Sequence, residues 1–386
     1  MPIDLDSVAL ADLRKRRSAK WTAYPGDVIP AWVAESDFPL AQPIHARLRA
    51  AIDAGDLGYP APDRSGVRES LAAWLAREQD WELDPEAIMV VPDAVRGIEL
   101  ALLAHTQPGD AVAIPTPVYP PFLKIVEEHG RRVVPVALLQ PDGGFAQDLD
   151  GLAAALAAGA RMVLLCHPHN PTGHVHDRAD LEALAELAIE HGAVVISDEI
   201  HSPLTLDGRP HVALATVSAA AAACTITVTS ASKTWNLAGL RAAFIIASEP
   251  ALADPIRALG PHALMGCSIV GLEATIAAFD EGGPWRDALL AVLARNRDTV
   301  VRELARFAPQ VAVAAPAATY LAWLDCNALE LPGGPQPFFL EHARVALSDG
   351  VPFGPGGEGC VRLNFGTTAA ILDEILTRLE GALASR

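Results

Sequence analysis

Residues 225–241 read TITVTSASKTWNLAGLR, an apolar, β-branched run followed by a polar turn that contains a glycine. The run has the composition of a buried strand, and Lys233 lies just beyond its end among hydroxyl side chains. Four of the 29 basic residues are lysines and the rest are arginines, so a lysine is the less common cation here. A desolvated amine can act as a nucleophile, whereas a guanidinium stays protonated. The stretch predicts an imine-forming lysine, although taken alone it also fits a surface lysine in a polar turn.

Similar apolar runs recur from about residue 87 onward and alternate with Ala- and Leu-rich helical patterns. This alternation is typical of crossover units on a parallel sheet. Leu181, Leu184 and Leu187 recur at helical spacing, and Gly192 follows as a C-cap. The sequence therefore predicts an α/β fold with a mostly parallel central sheet and helices on both faces. The predicted strands cover residues 88–91, 111–114, 132–136, 162–166, 193–197, 225–229 and 243–247.

The last hundred residues have a different pattern. Residues 284–308 predict one long helix, followed by a strand at 319–325, a Pro- and Gly-rich loop, a strand at 360–365 and a terminal helix. We expect a large domain at 45–282 and a small α+β domain at 283–386, joined by an amino-terminal segment at 1–44.

Composition limits the classes of function. The formal net charge of −18 argues against a nucleic-acid or anionic-lipid surface, and an anionic ligand needs a local cationic pocket. The basic run at 14–17 is interpreted as a solvated helix face. Five widely spaced cysteines without a CxxC pair predict neither a disulfide framework nor a zinc ribbon. No signal peptide or membrane span is apparent, so we expect a soluble, cytoplasmic protein.

Polar side chains follow several of the predicted strands. Asp198 ends the run AVVISD, and Asn170 follows the run MVLLC. Ligands of open α/β sheets bind at the carboxyl edge of the strands, so these side chains are candidates for a site. Arg241, together with the hydroxyls of Ser230 and Ser232, provides a candidate phosphate clamp.

Four motifs occur in order along the chain: HNPTG at 169–173, SDE at 197–199, SxxK at 230–233 and an Arg eight residues later. Their order and spacing resemble those of the pyridoxal 5′-phosphate (PLP) enzymes of the aspartate aminotransferase fold, fold type I. The resemblance covers most of the chain and makes the large domain the PLP-binding one. It implies that Lys233 carries PLP through an imine, that Asp198 pairs with the pyridine nitrogen and that Asn170 contacts the phenolic oxygen and the substrate.

The resemblance also assigns the remaining cofactor contacts. The turn at 92–93 and the helix that follows it would give the backbone amides of Ala94 and Val95 to the phosphate, at the positive end of a helix dipole. Tyr119 would stack on the ring. His201 occupies a position where many relatives have a tyrosine that contacts the phenolic oxygen.

A metal site at His167, His169 and His201 is not favoured, because no second ligand cluster has suitable spacing.

Two further residues receive roles from the resemblance. Arg362, on a predicted strand after a glycine-rich loop, would bind the α-carboxylate of an amino-acid substrate in a two-pronged contact. Tyr59 resembles the tyrosine that this fold donates to the phosphate of the neighbouring subunit. The active unit is therefore expected to be a homodimer.

The segments PAWVAESDFP, DEIH and FGPGGEGCVRLNF resemble the MalY/PatB-like cystathionine β-lyases, which are carbon–sulfur lyases. Members of this branch commonly carry a WVADMDF-like segment, and Glu35 and Ser36 depart from it. The resemblance implies cleavage of an S-substituted cysteine to thiol, pyruvate and ammonia. A PLP-dependent aminotransferase of small or aromatic amino acids is the alternative, and a regulatory protein with the same fold is the third possibility.

Overall fold

The computed structural model describes residues 3–385. Helices and strands alternate through most of this range, as the sequence predicts. The strands are β1 (Ile29–Pro30), β2 (Ile88–Val91), β3 (Ala111–Thr116), β4 (Arg132–Ala137), β5 (Ala160–Cys166), β6 (Val194–Asp198), β7 (Thr225–Thr229), β8 (Ala243–Ile246), β9 (Ala312–Val313), β10 (Leu321–Asp325), β11 (Val345–Ala346), β12 (Ser348–Asp349) and β13 (Cys360–Asn364).

The α-helices range from single turns to the long α13. They are α1 (Leu10–Leu13), α2 (Ala19–Thr22), α3 (Gln42–Asp53), α4 (Val67–Gln79), α5 (Ala94–His105), α6 (Pro120–Glu128), α7 (Leu149–Ala157), α8 (Arg178–Glu190), α9 (Ala219–Cys224), α10 (Pro250–Arg257), α11 (Pro261–Leu264), α12 (Ile269–Glu281), α13 (Gly283–Phe307), α14 (Pro335–Phe338) and α15 (Ala369–Ala384).

The large sheet has the strand order β2-β8-β7-β6-β5-β3-β4. Its pairs are parallel except that β8 runs antiparallel to both β2 and β7. The predicted mostly parallel sheet is confirmed, and each of its seven strands begins and ends within two residues of the predicted bounds. Because parallel strands run in one direction, the carboxyl ends of β5, β6 and β7 lie side by side.

Helices cover both faces of this sheet. Along β3, Val112 and Ile114 face a core that also holds Ile98 of α5, while the alternate residues face a second core with Leu184 of α8. The period of two along the strand thus distributes neighbouring residues between two apolar layers. Strands buried on both faces need the continuous apolar runs that the sequence shows.

The smaller sheet is antiparallel, with the strand order β12-β13-β10-β9, and α13 and α15 pack against one another beside it. The predicted long helix, the two predicted strands and the terminal helix are confirmed. The Pro- and Gly-rich loop, in contrast, includes α14 and the short strands β11 and β12, which are too short to leave a periodic pattern.

The amino-terminal segment packs against this lobe. Strand β1 pairs with β11, and the amide of Asp37 donates to the carbonyl of Gly366 at 2.9 Å. Within the segment, Lys20 is buried and donates from Nζ to Asp37 Oδ2 at 2.8 Å. These contacts support the division into parts, which stays a prediction.

The interpretation of the basic run at 14–17 as a helix face is wrong. Helix α1 ends at Leu13, and the run continues as a turn and irregular chain. Arg16 donates from Nη2 to the carbonyl of Asp37 at 3.0 Å, which ties the run to a later part of the amino-terminal segment. Among residues 3–385, no helix has the length and apolar character needed to cross a membrane.

Candidate active site

A cavity of about 310 Å³, hereafter the inner cavity, opens at the carboxyl edge of β5, β6 and β7. Asn170, Asp198 and Lys233 reach it from the ends of these three strands, because the strands stop at the same sheet edge. The structure brings together here every predicted site residue except Arg362 and Tyr59. Those lining the inner cavity are Ala94, Val95, Tyr119, Asn170, Asp198, His201, Ser230, Ser232, Lys233 and Arg241.

A second cavity of about 480 Å³, hereafter the outer cavity, shares Lys233 and Tyr119 with the inner one. Arg362 lines the outer cavity, and so do residues of the amino-terminal segment and of the loop around Phe353. Lys233 and Arg362 therefore line the same cavity, although more than a hundred residues separate them in the chain.

Lys233 is held at the junction of the two cavities. Its Nζ donates to the carbonyl of Ala34 at 2.9 Å. Burial, followed by the positive charge of Arg362, lowers the pKa of the Lys233 amine from 10.5 to about 8. A lysine with this pKa has a substantial neutral fraction near physiological pH, which a nucleophile requires.

Asp198 provides a buried carboxylate in the inner cavity. Desolvation is the main reason that its pKa rises to about 7, and a hydrogen bond from the Ile200 amide to Oδ1 at 3.2 Å opposes that rise. The positive charge of Lys233 also favours the ionised form, but it does not offset the desolvation. A protonated ring nitrogen placed beside it would stabilise its ionised form.

The far end of the inner cavity is the amino terminus of α5. Asp93 caps this helix by accepting the Arg96 amide at 2.8 Å, which leaves the first two helical amides, those of Ala94 and Val95, without intrahelical acceptors. Such amides and the helix dipole favour an anion.

The phosphate clamp expected from the sequence surrounds this helix end. Arg241 has a left-handed backbone at φ +59° and pairs through Nη2 with Asp93 Oδ2 at 2.9 Å. Ser230 donates from Oγ to the carbonyl of Ala242, and this Oγ accepts the amide of Ser232. The hydroxyl of Ser230 thus orders the turn that carries the lysine, and the guanidinium of Arg241 is half-exposed at the cavity.

Arg362 is buried on β13, and its guanidinium is fixed from several sides. Its Nη1 donates to Asn170 Oδ1 at 2.8 Å, and Nη2 donates to the carbonyl of Trp32 at 2.8 Å and to Ser348 Oγ at 3.2 Å. The guanidinium also lies 5.0 Å from the ring centre of Phe353. Burial lowers the pKa of Arg362 to about 10, and the buried Nε has no partner among the described residues. This cation is preorganised to bind a carboxylate.

Tyr119 and His201 border Lys233 and Asp198 in the inner cavity. Burial, and secondarily the Asp198 charge, raises the pKa of Tyr119. Burial, together with the charges of Lys233 and Arg362, lowers the pKa of His201 well below its usual value. The imidazole is therefore neutral and can donate one hydrogen bond and accept another.

The sequence did not identify the segment 32–36 as part of the site's framework. Its backbone carbonyls accept hydrogen bonds from Lys233, Arg362, Tyr320 and Asn364, which belong to distant parts of the chain. The similarity of this segment to a family motif was a signal, but it did not reveal that backbone atoms make the contacts.

Sequence reasoning also missed the role of Glu199 behind the site. Its carboxylate is buried and accepts from Ser197 Oγ, contacts His211 Nε2 at 2.8 Å and accepts the amide of Leu214 at 3.1 Å. These bonds fix the chain immediately after Asp198.

Tyr59 lies apart from both cavities and is 96% exposed. The structure describes a single chain, so the donation of Tyr59 to a neighbouring subunit stays a prediction. Of the histidines considered as metal ligands, His167 and His169 are buried, and within residues 3–385 no cluster of three or more His, Cys, Asp or Glu side chains is arranged to hold a metal ion.

These residues fit three groups of one cofactor. The Lys233 amine fits its aldehyde, the Asp198 carboxylate fits its ring nitrogen, and the amides of Ala94 and Val95 fit its phosphate. This donor set, at the carboxyl edge of such a sheet, defines a PLP enzyme of fold type I.

The chain belongs to the aminotransferase class I and II family, whose model matches residues 23–379. Within it the chain belongs to the cystathionine β-lyase branch. It is 37% identical to the cystathionine β-lyase PatB of Bacillus subtilis over 93% of both chains. It is also 37% identical to a cystathionine β-lyase of Corynebacterium glutamicum, over 97% of this chain and 99% of that one.

A solved structure, cystalysin of Treponema denticola, shares the fold with a TM-score of 0.93 and 27% identity over the whole of both chains. That structure contains PLP. The predicted fold class and the predicted family are thereby confirmed.

Proposed function

We propose that the protein is a PLP-dependent β-lyase that cleaves the carbon–sulfur bond of an S-substituted cysteine, releasing a thiol, pyruvate and ammonia. The observation that carries this proposal is the position of the Lys233 amine at the junction of the inner and outer cavities. One side of the amine offers the donor set for the cofactor, and the other side offers a carboxylate-binding arginine.

The inner cavity would hold the cofactor. Lys233 would attach it covalently, Asp198 would face its ring nitrogen, and Tyr119, Asn170 and His201 would border its ring and phenolic oxygen. The phosphate would lie against the amides of Ala94 and Val95 with the Ser230, Ser232 and Arg241 side chains. When bound, PLP supplies an electron sink for a bond broken at Cα of an amino acid.

The outer cavity would position the substrate. Arg362 would bind the α-carboxylate, and its bond to Asn170 links substrate orientation to the cofactor contacts. Lys233, whose pKa of about 8 permits a neutral amine, would remove the proton from Cα. The thiolate would then leave Cβ, and hydrolysis of the remaining three-carbon fragment would give pyruvate and ammonia.

An aminotransferase would use the same lysine, carboxylate and arginine, so these side chains do not separate the two reactions. The cystathionine β-lyase relatives, which align over nearly the entire chain, favour the lyase. A lyase completes its reaction without a keto-acid acceptor, which makes the two chemistries distinguishable.

The test is an acceptor-free assay of the holoenzyme with S-substituted cysteines, with thiol, pyruvate and ammonia measured together. We expect stoichiometric release of the three products. Lys233→Ala should abolish release and borohydride-stable cofactor attachment, a loss of at least about a thousandfold in rate. Lys124→Ala, at an exposed lysine of α6, is the matched control and should retain both. A strict requirement for a keto acid would assign the protein to the aminotransferases instead.

We also propose that the active form is a cytoplasmic homodimer in which Tyr59 reaches the neighbouring phosphate site. The exposure of Tyr59, beside a wide apolar cavity that also includes Met89 and Met265, supports burial by a second copy. All five cysteines lie within the described range and are unpaired, which fits a reducing compartment. Sedimentation of the wild type and of Tyr59→Ala tests whether the protein is a dimer. The PLP affinity of the same two proteins tests the role of the tyrosine separately.

A further inference from the structure

The outer cavity extends beyond the groups that act on the amino-acid end of the substrate. Four aromatic rings line it, and most of its other walls are aliphatic. Tyr24 and Trp32 form an edge-to-face pair with ring centres 6.1 Å apart, and Phe353 is buried beneath the guanidinium of Arg362. The aromatic and aliphatic lining consists of Tyr24, Trp32, Val33, Ala34, Tyr119, Pro120, Pro121, Leu347, Pro352 and Phe353.

The charges around this cavity are few and are unevenly placed. Among the described residues that line it, the cations are Lys233, which also lines the inner cavity, and Arg362, which bonds to Asn170 of the inner cavity. The remaining charged residue is Asp349, whose side chain is exposed at the end of β12. Gln336 and Ser348 are neutral and polar, and the rings of Tyr24, Tyr119 and Trp32 carry hydroxyl or indole N–H groups.

Both cations that line the outer cavity already have roles in the proposed reaction. Arg362 makes three hydrogen bonds with Asn170, Trp32 and Ser348 and faces the α-carboxylate, while Lys233 takes part in the chemistry. A second carboxylate, at the distal end of a substrate, would lie among mostly apolar walls, where the described lining residues offer no further cation. It would also meet the carboxylate of Asp349. Burying an unpaired charge is unfavourable, whereas burying apolar surface is favourable.

We propose that this enzyme selects cysteine conjugates whose sulfur substituent is uncharged and predominantly apolar, and that it discriminates against a substituent bearing a carboxylate. This specificity rests on the proposed β-lyase function, because it assigns the outer cavity to the leaving thiol. A volume of about 480 Å³ is sufficient for an alkyl or aromatic substituent, since ligand cavities commonly span about 300–1,000 Å³. Cystathionine, whose distal end carries both an ammonium and a carboxylate group, is then a poorer substrate than an alkyl conjugate.

The test compares S-butyl-L-cysteine with S-(3-carboxypropyl)-L-cysteine, which have similar length and sulfur chemistry and differ in terminal charge. We expect kcat/KM of the holoenzyme to be at least about tenfold higher for the butyl compound. Dissociation constants from the change in cofactor absorbance should follow the same order. Equal or higher values for the carboxyl compound would overturn the proposal.

The Asp349→Asn variant provides a more specific test. Asparagine retains an acceptor for the Val351 amide, which Asp349 Oδ1 accepts at 3.3 Å, so the turn should persist. We expect kcat/KM for the carboxyl compound to rise about threefold, because the interaction of an exposed charge is weakened by solvent. The value for the butyl compound should stay unchanged. Glu186→Gln, at an exposed site on α8, is the control and should change neither. An unchanged ratio in Asp349→Asn would remove Asp349 from the discrimination.

The two proposals fail in different ways. If neither compound releases thiol but the butyl compound still binds more tightly, the lyase function is wrong and the cavity preference holds. If both are cleaved and the carboxyl compound is preferred, the lyase function holds and the specificity is wrong.

Discussion

The inner and outer cavities meet at Lys233 but are built in different ways. The inner cavity is formed by residues 92–242, from neighbouring strand ends and one helix start. The outer cavity adds residues 24–34 and 336–362, which are about three hundred positions apart in the chain, to residues 119–121 and Lys233. A sheet edge brings short motifs together directly, whereas the outer wall depends on how the chain's two ends pack.

The two cavities also differ in electrostatics. The inner cavity buries an acid with a raised pKa and an amine with a lowered pKa, which are features of a reaction centre. The outer cavity is largely aromatic and aliphatic beyond Arg362. We therefore expect substitutions in the inner cavity to change the chemical step, and substitutions in the outer cavity to change substrate binding.

The largest effect that separates the two cavities should come from Asp198→Asn. The amide cannot stabilise a protonated ring nitrogen, so we expect kcat to fall about a thousandfold, in the range for losing one partner of a buried charge pair. Substrate affinity should change little. Steady-state kinetics and cofactor content measured on the same preparation check this, and an equal loss of bound PLP would assign the effect to cofactor retention.

Arg362→Ala changes the outer cavity and should have a smaller effect than Asp198→Asn. Removing the two-pronged contact should lower kcat/KM about a hundredfold, mainly through KM, while PLP stays bound. Arg362→Lys, which retains charge without the planar fork, should recover only part of that loss. Loss of cofactor in either variant would contradict the assignment of Arg362 to the substrate side.

The smallest of these effects is a pH dependence of cofactor uptake by the apoprotein. Because the pKa of Lys233 is lowered to about 8, its amine is mostly cationic below that pH and neutral above it. The neutral form reacts with an aldehyde, so the rate of PLP attachment should rise about tenfold from pH 7 to pH 9 and then level off. Stopped-flow absorbance measures this rate. A rise of about a hundredfold over the same interval would indicate an ordinary lysine pKa.

The inner cavity could be predicted from the sequence largely because its residues follow strands. Asp198 and Asn170 come directly after apolar runs, and parallel strands place such positions at one sheet edge. Their proximity to Lys233 needed only the topology of neighbouring strands. Their individual chemical roles came from family resemblance.

The outer wall could not be predicted in the same way. Trp32 and Ala34 contribute carbonyl oxygens, and backbone atoms carry no residue-type signal. The contact of Phe353 with the Arg362 guanidinium depends on a turn between β12 and β13, whose conformation local periodicity does not specify. The composition of the run at 14–17 predicts a helix face, but the helix ends before it and Arg16 instead bonds to Asp37.

The scarcity of lysine gives the molecule a practical property. Lys20 is enclosed with Asp37 and Lys233 is partly buried at the junction of the cavities, whereas Lys15 and Lys124 face solvent. Amine-directed reagents, such as active esters used for fluorophores or solid supports, should therefore attach to these two exposed side chains before they reach the reactive one. An immobilised or dye-labelled preparation can in this way be made with its reaction centre unmodified.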